Sequence, residues 1–377
     1  MLRNAKWLSI LVVTLFLAGC VISPRRPDPN AGTTTTTTPP VTPPPVTTPP
    51  PPPPPPPPAP LGKLYVSNTV TPSIVRFDNA LAGTTSGNIA PSATISGAAT
   101  LLDTPLYILV DSVNDRLYVA DPGNPTTGNP SILIWDSAST RTGNVAPTRN
   151  ITGAATTLLQ PVDMALDSTR NLLYVVEGQD VLVFSSASTS SGNVAPARTL
   201  TAGFNISAIL LDAANDRLFL ANPVANAVVI YDGASALATG AVTATRTLSG
   251  AATGLANPAG LRIDSNGRLV VSNASPPSMT IYAGAATVNG NAAPAAAISG
   301  GNTAFTQTSQ IALRPVGSTS DELYVADTAG KVLIFANLSA ATGNIAPTRN
   351  ISGANTGLGN GTSATAVVRG VAIDPAH

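Results

Sequence analysis

The chain contains few of the side chains on which enzyme chemistry most often depends. It has one histidine, His377, and one cysteine, Cys20, among 377 residues, and only 10% of its residues are charged. A single cysteine excludes a disulfide framework, and one histidine with one cysteine cannot complete a zinc site of the His/Cys type. Any Ser-His-Asp triad would depend on His377. These absences argue against the commonest hydrolytic mechanisms.

The charge pattern also excludes one class of partner. The chain has 19 basic and 19 acidic side chains, and removal of residues 1–19 would take away Arg3 and Lys6. After Lys6, lysine occurs only at positions 63 and 331, and the arginines form no basic stripe. Nucleic-acid binding needs clustered cations that neutralise phosphates. The sequence therefore predicts no nucleic-acid partner.

Residues 1–19 have the pattern of a secretory signal. Arg3 and Lys6 precede an apolar run, Trp7 to Leu17, that is too short to favour a membrane-spanning helix. The run ends in Leu17-Ala18-Gly19-Cys20, which resembles the lipobox of bacterial lipoproteins. The resemblance implies cleavage before Cys20, lipidation of Cys20 and, because Val21 rather than Asp follows, an outer-membrane location in the cell envelope. An ordinary signal peptide that happens to contain a cysteine is the alternative.

Residues 20–60 have the composition of a stalk. Thr33 to Thr38 is an unbroken threonine run and Pro49 to Pro58 an unbroken proline run. Proline lacks an N–H donor and fixes φ, so this stretch cannot join a helix or a sheet and should be an extended, disordered linker. We expect it to hold the following domain away from the membrane to which the lipid on Cys20 attaches the chain.

From residue 61 to residue 377 one passage returns six times, at a period that is typical of repeat proteins. A Leu-Tyr-Val-type strand begins at Leu64, Leu117, Leu173, Leu218, Leu269 and Leu323. The following strand ends in an aromatic residue, Phe77, Trp135, Phe184, Tyr231, Tyr282 or Phe335. A Gly-Asn-Val-Ala-Pro-type segment then starts at Gly87, Gly143, Gly192, Gly240, Gly290 or Gly343. With the apolar run before each Leu-Tyr-Val, every repeat holds four short strands, which predicts an all-β fold, a β-propeller of six blades.

The two ends of the repeat region are complementary. The chain stops on the apolar run Val371-Ala372-Ile373-Asp374, which has no Leu-Tyr-Val after it. The domain opens with Gly62-Lys63-Leu64-Tyr65-Val66, which has no such run before it. We therefore predict that strands from the two ends pair and close the ring, which also removes exposed sheet edges. An open solenoid is the alternative.

The repeats resemble a known family. The run Pro161-Val162-Asp163-Met164-Ala165-Leu166-Asp167, followed by Leu173-Tyr174-Val175, is similar to the NHL repeat of the six-bladed TolB-like propellers. The resemblance covers about residues 61–377. It implies the fold but not a function, because similar propellers include lactonases, lyases, protein-binding scaffolds and envelope lipoproteins.

One end of the predicted channel collects polar side chains. The strand-end positions are Asn68, Asp121, Glu177, Asn222, Asn273 and Asp327, and inner strands start near Tyr107 and Asp163. Gluconolactonase-like propellers hold a divalent metal in the channel, so Asp163, Glu177 and Asp121 are candidate calcium ligands. Asn68, Tyr107, Asn222, Asn273 and Asp327 are candidates for binding at the channel mouth. The alternative is that Asp and Asn at strand ends only stabilise the turns that follow.

Arginine recurs at one position of the third element, at Arg149, Arg198, Arg246 and Arg349, with alanine in the other two copies. A surface ring that binds anionic glycans is one interpretation, and a blade-edge role is the other.

Two functions follow as hypotheses. The first is a non-enzymatic envelope lipoprotein, monomeric, that displays the propeller and binds a protein or glycan partner through the channel mouth and loops. The second is a calcium-dependent hydrolase of the lactonase or gluconolactonase type, in which an ion near Asp163 and Glu177 would polarise the lactone carbonyl and activate water. A third interpretation is purely structural, with the propeller filling space in a surface layer.

Overall fold

The computed structural model describes residues 62–80, 83–124, 128–316, 320–359 and 368–377. The predicted signal, Cys20, the whole predicted stalk and its boundary at residue 61 lie outside these ranges. Six antiparallel sheets follow one another along the chain. They are the six blades of a β-propeller, so the predicted fold is confirmed.

Each blade runs from an inner strand at the channel to an outer strand at the rim. Blade 1 contains β1 (Lys63–Asn68), β2 (Ser73–Asp78) and β3 (Ala93–Ser96). Blade 2 contains β4 (Ile108–Asp111), β5 (Arg116–Asp121), β6 (Ser131–Asp136) and β7 (Arg149–Thr152). Blade 3 contains β8 (Pro161–Asp167), β9 (Leu172–Glu177), β10 (Asp180–Ser185) and β11 (Arg198–Thr201).

The second half repeats this order. Blade 4 contains β12 (Ala208–Asp212), β13 (Arg217–Asn222), β14 (Ala227–Asp232) and β16 (Arg246–Ser249), while the short β15 (Gly240–Ala241) joins blade 3. Blade 5 contains β17 (Pro258–Ile263), β18 (Leu269–Ala274), β19 (Pro277–Tyr282) and β20 (Ala296–Ile298). Blade 6 contains β21 (Thr308–Val316), β22 (Ser320–Asp327), β23 (Lys331–Phe335) and β24 (Arg349–Ser352).

The described helices are single 3-10 turns. They are Ala98–Thr100, Ala138–Thr140, Ala154–Thr156, Ala234–Ala236, Ala251–Thr253, Gly301–Thr303 and Ala354–Thr356. Across the described ranges, no helix has the length and apolar character needed to cross a membrane.

The ring closes through the last strand, β25 (Val368–Asp374), which pairs antiparallel with β1. Lys63 faces Asp374 and Tyr65 faces Ala372 in this ladder. The inner strand β25 also lies beside β21 on one side and β4 on the other. The first and last described strands therefore complete blade 1 together, as the complementary ends predicted.

The hydrophobic core is divided among the junctions between blades. Six buried clusters occur in the described residues, and each draws chiefly on two neighbouring blades. The aromatic residues that end the third strands, Phe77, Trp135, Phe184, Tyr231, Tyr282 and Phe335, are all no more than 1% exposed. Their prediction as core residues is confirmed. Because both faces of every sheet are covered, the strands are apolar at consecutive positions.

The Gly-Asn segments join each blade to the one before it. Gly143 lies parallel to Ile95 of blade 1, and its backbone N–H donates to the carbonyl of Thr94 at 2.6 Å. The next residue, Asn144, accepts a hydrogen bond from the Ala99 N–H at 2.8 Å. The glycine-to-strand pairing recurs at all six junctions, and the asparagine contact at five of them.

The recurrent arginines are structural. Arg149 in β7 reaches across to the carbonyl of Ala187 in blade 3 at 3.0 Å and also pairs with Asp136 at 2.7 Å. Arg198, Arg246 and Arg349 make the equivalent bonds to the following blade. Where blade 1 has Ala93, the opposing Arg76 of β2 supplies the contact to blade 2. These bonds favour the blade-edge interpretation over a glycan-binding ring.

Substitution of two adjacent glycines tests whether the Gly-Asn contact stabilises the junction between blades 5 and 6. Gly300 has φ +112°, and a Cβ there would lie 2.6 Å from the Asn344 side chain, which accepts a hydrogen bond from the Asn302 N–H. Gly301 has open space around a Cβ. Gly300→Ala should therefore lower the free energy of unfolding by about 1–3 kcal/mol through backbone strain. Gly301→Ala, the matched control, should be neutral or stabilise by up to about 1 kcal/mol. Urea unfolding measures both, and equal losses would contradict the junction's role.

Candidate functional site

The polar residues predicted at one end of the channel do meet there. Each inner strand pairs antiparallel with the Leu-Tyr-Val strand, so the start of one lies beside the end of the other. Pro161 faces Glu177, Pro258 faces Asn273, and Thr308 faces Asp327. We call this side of the propeller, where β1, β5, β9, β13, β18 and β22 end, the mouth face, and the opposite side the back face.

The strand-end carboxylates hold the loops that lead into the inner strands. Glu177 accepts hydrogen bonds from the N–H groups of Leu159 and Gln160 at 2.9 and 2.8 Å. Asp121 accepts from Asp103 and Thr104 at 2.8 and 2.9 Å. Burial raises the pKa of both carboxyls and these N–H donors lower it. Both carboxylates therefore hold the loop that leads into the inner strand of their own blade, and Asp121 also accepts from the Gly123 N–H in the turn that follows it, as the turn alternative predicts.

The other strand-end residues behave in the same way. Asp327 accepts from the N–H groups of Thr306 and Ala329, and Asn273 accepts from the Ala256 N–H. Asn68 and Asn222 accept from backbone N–H groups in the turns that follow them. These four candidates for mouth binding therefore engage backbone groups of their own chain.

Asp163 and Tyr107 lie deeper, in a polar network that crosses the channel. The Tyr107 hydroxyl donates to the carbonyl of Ala259 at 2.8 Å, on the far side of the ring. Asp163 accepts from the N–H groups of Met164 at 2.8 Å and Ile209 at 3.0 Å. Gln310 joins the network, because its amide donates to the Ile108 carbonyl at 3.0 Å and its carbonyl accepts from the Val371 N–H at 2.9 Å. These bonds, with a contact of 3.4 Å between the Gln310 amide and Asp163, link residues of all six blades at the centre.

Gln310 is a residue that the sequence pattern did not indicate. The repeat places Ile311 at the start of the fifth complete inner strand, but the ladder between β21 and β22 is irregular between Thr308 and Ile311. A similar irregularity between Pro161 and Met164 contains Asp163. A bulge inserts a residue and redirects a side chain, so both side chains point out of the regular register. No spacing in the sequence marks these bulges.

The electrostatics of Asp163 reflect its depth. The residue is 2% exposed. Burial raises the pKa of its carboxyl to about 6, against smaller lowering effects of Arg262 and of the backbone donors. A carboxyl with this pKa could exchange protons near neutral pH. Both oxygens already face donors of the chain, however, so a substrate would have to displace that network.

Beneath the network the channel holds a cavity of about 200 Å³. Its walls come from β4, β17, β21 and β25 and are apolar except for Arg262. Burial lowers the pKa of the Arg262 guanidinium, whereas Asp163 raises it. A cavity of this size is below the range of sites that enclose a drug-sized ligand.

The proposed calcium ligands do not form a compact trio. Among the described residues, one group of three or more acidic, histidine or cysteine side chains brings its ligand atoms within 4.8 Å, and it consists of Asp115, Asp374 and His377. Asp121, Asp163 and Glu177 are instead held by separate sets of donors, as described above. Their role in metal binding stays a prediction.

A groove on the mouth face lies between blades 2 and 3. It has a volume of about 460 Å³, and its lining has no charged side chain. The walls combine apolar residues, such as Leu106 and Val162, with polar ones, such as Thr104 and Gln160. Leu159 on its edge is 73% exposed. The loops that form the groove are those held by Asp121 and Glu177, so these two carboxylates shape it without lining it.

Comparison with known proteins supports the fold alone. No protein-family model matches the chain, and no curated protein matches its sequence. A chain in the crystal structure of a nidogen/laminin complex matches with a TM-score of 0.54 and 14% identity, over 83% of this chain and 98% of that one. A functionally unknown protein from Desulfotomaculum acetoxidans matches with a TM-score of 0.47 and 12% identity, over 74% and 76%. The first likeness agrees with the propeller.

The raised pKa of Asp163 predicts that the free energy of unfolding depends on pH. Its pKa rises from 3.8 in the unfolded chain to about 6 in the folded one, so between these values the folded state holds the proton more tightly. The contribution of Asp163 to stability therefore falls as the pH rises through this window, by up to about 3 kcal/mol. Urea unfolding at about pH 4 and about pH 7 in EDTA should show this fall for the wild type relative to Asp163→Asn. Parallel pH profiles of the two chains would contradict it.

Proposed function

We propose that the protein is a non-enzymatic lipoprotein of the cell envelope whose propeller binds a partner at the mouth face. The groove between blades 2 and 3 carries this proposal. It is open, its walls are fixed by Asp121 and Glu177, and it exposes Leu159 beside hydroxyl and amide groups. Mixed apolar and hydrogen-bonding surfaces of this kind suit an uncharged stretch of protein or a neutral glycan.

The channel itself is a weaker candidate for the binding site. Its entrance is crossed by Tyr107, Asp163 and Gln310, whose side chains hydrogen-bond to backbone groups of blades 5, 4 and 1. The predicted mouth residues Asn68, Asn222, Asn273 and Asp327 hold turns and loops. The proposal therefore moves the contact surface from the channel mouth to the loops beside it.

The lipid anchor completes the proposed arrangement. Lipidation of Cys20 would fix the chain to the membrane, favoured as the outer membrane, while the Thr/Pro stalk would carry the propeller clear of the surface. Acyl chains give stable anchoring without a spanning helix when more than one is attached.

No described contact favours the second hypothesis, a calcium-dependent lactone hydrolase. It would require Asp163 and Glu177 to share an ion, and each now holds different backbone N–H groups. It stays an untested prediction.

A photo-crosslinking experiment tests the groove. A photoreactive amino acid at Gln160 of the full chain should crosslink to an envelope component. Leu159→Ser in the same chain should reduce that crosslinking about tenfold or more, because the apolar contact of Leu159 with the partner and its packing are lost. The control carries the probe at Val224, an 83% exposed residue in the turn after β13, on the same face but in blade 4. Protease or glycosidase digestion of the product then distinguishes a protein from a glycan. Equal crosslinking at both positions, or none at Gln160, would contradict the proposed site.

The anchor has its own test. Cys20→Ser should move the chain from the membrane fraction to the soluble fraction, because no acyl chain could attach. Cell fractionation followed by immunoblotting measures the distribution. An unchanged membrane fraction of a variant chain from which residues 1–19 have been removed would show that Cys20 is not the anchor, whether or not the groove binds a partner.

A further inference from the structure

A group of metal-binding side chains lies on the back face, where blade 1 meets blade 2. Asp374 ends β25, His377 follows it by three residues, and Asp115 precedes β5. Their ligand atoms all lie within 4.8 Å of one another. Asp374 is fully buried, whereas Asp115 and His377 are partly exposed, so the group is open to solvent on one side.

Each carboxylate in the group retains free lone pairs. Asp115 accepts one hydrogen bond at each oxygen, from the N–H and the hydroxyl of Ser139 at 2.8 and 2.7 Å. Asp374 accepts from the Ala376 N–H at 3.0 Å and lies 2.9 Å from Nδ1 of His377. A carboxylate has about four acceptor positions, so both residues could still bind a cation.

The charges at this junction differ from those at three of the equivalent junctions. The counterparts of Asp374 in blades 3, 4 and 5 each pair with an arginine, in the pairs Asp167–Arg170, Asp212–Arg217 and Asp264–Arg268, whereas Asp111 in blade 2 bonds to Asn114. Between blades 1 and 2, Lys63 and Arg76 pair with Asp78, and Arg116 pairs with Asp136. In the described part of the chain, neither Asp115 nor Asp374 has a lysine or arginine partner. Two carboxylates therefore face a single imidazole.

A buried tyrosine lies at the same junction. Tyr65 belongs to β1, the strand paired with β25, and packs in the cluster between blades 1 and 2. Its hydroxyl has no hydrogen-bond partner within the described structure, and the same is true of the hydroxyls of Tyr118 and Tyr174, its counterparts in blades 2 and 3.

The next junction shows where such a hydroxyl points. Tyr118, the counterpart of Tyr65 in blade 2, lines a pocket of about 290 Å³. The same pocket is lined by the counterparts of Asp374, His377, Asp115 and Ser139, which are Asp111, Asn114, Asn171 and Ser188. Because the blades repeat one geometry, we expect Tyr65 to face the corresponding space between Asp374 and Asp115.

We propose that Asp115, Asp374 and His377 bind a divalent cation of the zinc class, with the Tyr65 hydroxyl facing the ion's remaining position. One imidazole nitrogen and two carboxylate oxygens are ligands that zinc accepts, and the imidazole disfavours calcium, which takes oxygen ligands. Two ligands on a tetrahedral zinc ion lie about 3.4 Å apart, so the present spacing needs only small side-chain movements. The ion would join the closing strand β25 to blade 2.

Titration calorimetry with zinc chloride alone tests the site. The full chain is used in mild detergent and in a Cys20→Ser background, because a free thiolate would itself bind zinc. We expect one zinc ion per chain. Loss of a group that only supports a metal ligand weakens metal binding roughly 10- to 100-fold. His377→Gln and Asp115→Asn each remove a ligand, so each should weaken zinc binding by more than this.

Asp115→Asn is chosen because it should fold. Asn171 already occupies the equivalent position in blade 3, where its side-chain carbonyl accepts from the Ser188 N–H and its amide donates to the Ser188 hydroxyl. The matched control is Asp216→Asn, since Asp216 holds Ser235 as Asp115 holds Ser139 but has no histidine beside it. The control should bind zinc like the parent chain. No binding by the parent chain, unchanged binding by both site variants, or an equal loss in Asp216→Asn would overturn the proposal.

Discussion

The pairing of β25 with β1 is the constraint on which the rest of the structure depends. No blade has a core of its own, because every hydrophobic cluster lies chiefly between two blades. In an open ring, Tyr65 and Phe77 would lose contacts in the two buried clusters that flank blade 1, and strand edges would be exposed. The ladder from Lys63–Asp374 to Asn68–Val368 therefore completes two junctions and one blade at the same time.

Much of the polar side-chain chemistry in this protein serves the same ring. Arginines of the rim bind carbonyls of the following blade, asparagines hold the 3-10 turns, and acidic residues at strand ends hold loops. With only 10% charged residues, few ionisable groups remain outside these roles. Features that have no role in holding the ring together are therefore informative about function. An uncharged groove beside the channel and two carboxylates that lie close to a single histidine are the features that the architecture does not explain.

The fold could be predicted from the sequence because the same pattern of strands occurs six times. Strand type, aromatic core positions and closure all follow from the repeat and its complementary ends. The roles of single polar residues could be predicted only where they repeat, as with the rim arginines and with Asn68 and Asn222, which hold the turns that follow them. Gln310 escaped prediction because a bulge moves it into the channel. The group formed by Asp115, Asp374 and His377 was not predicted, because ring closure brings together distant parts of the chain. Aligning Asp374 with Asp111 places His377 opposite Asn114, and this alignment could have revealed the group.

Hydrogen exchange of the backbone amides in the full chain tests ring closure most directly. If closure makes the six blades one cooperative unit, the amides of β25 and β1 should exchange as slowly as those of the inner strands β8 and β12. Fast exchange in β25 and β1, with blades 2 to 6 still protected, would contradict the closed ring as the basis of stability.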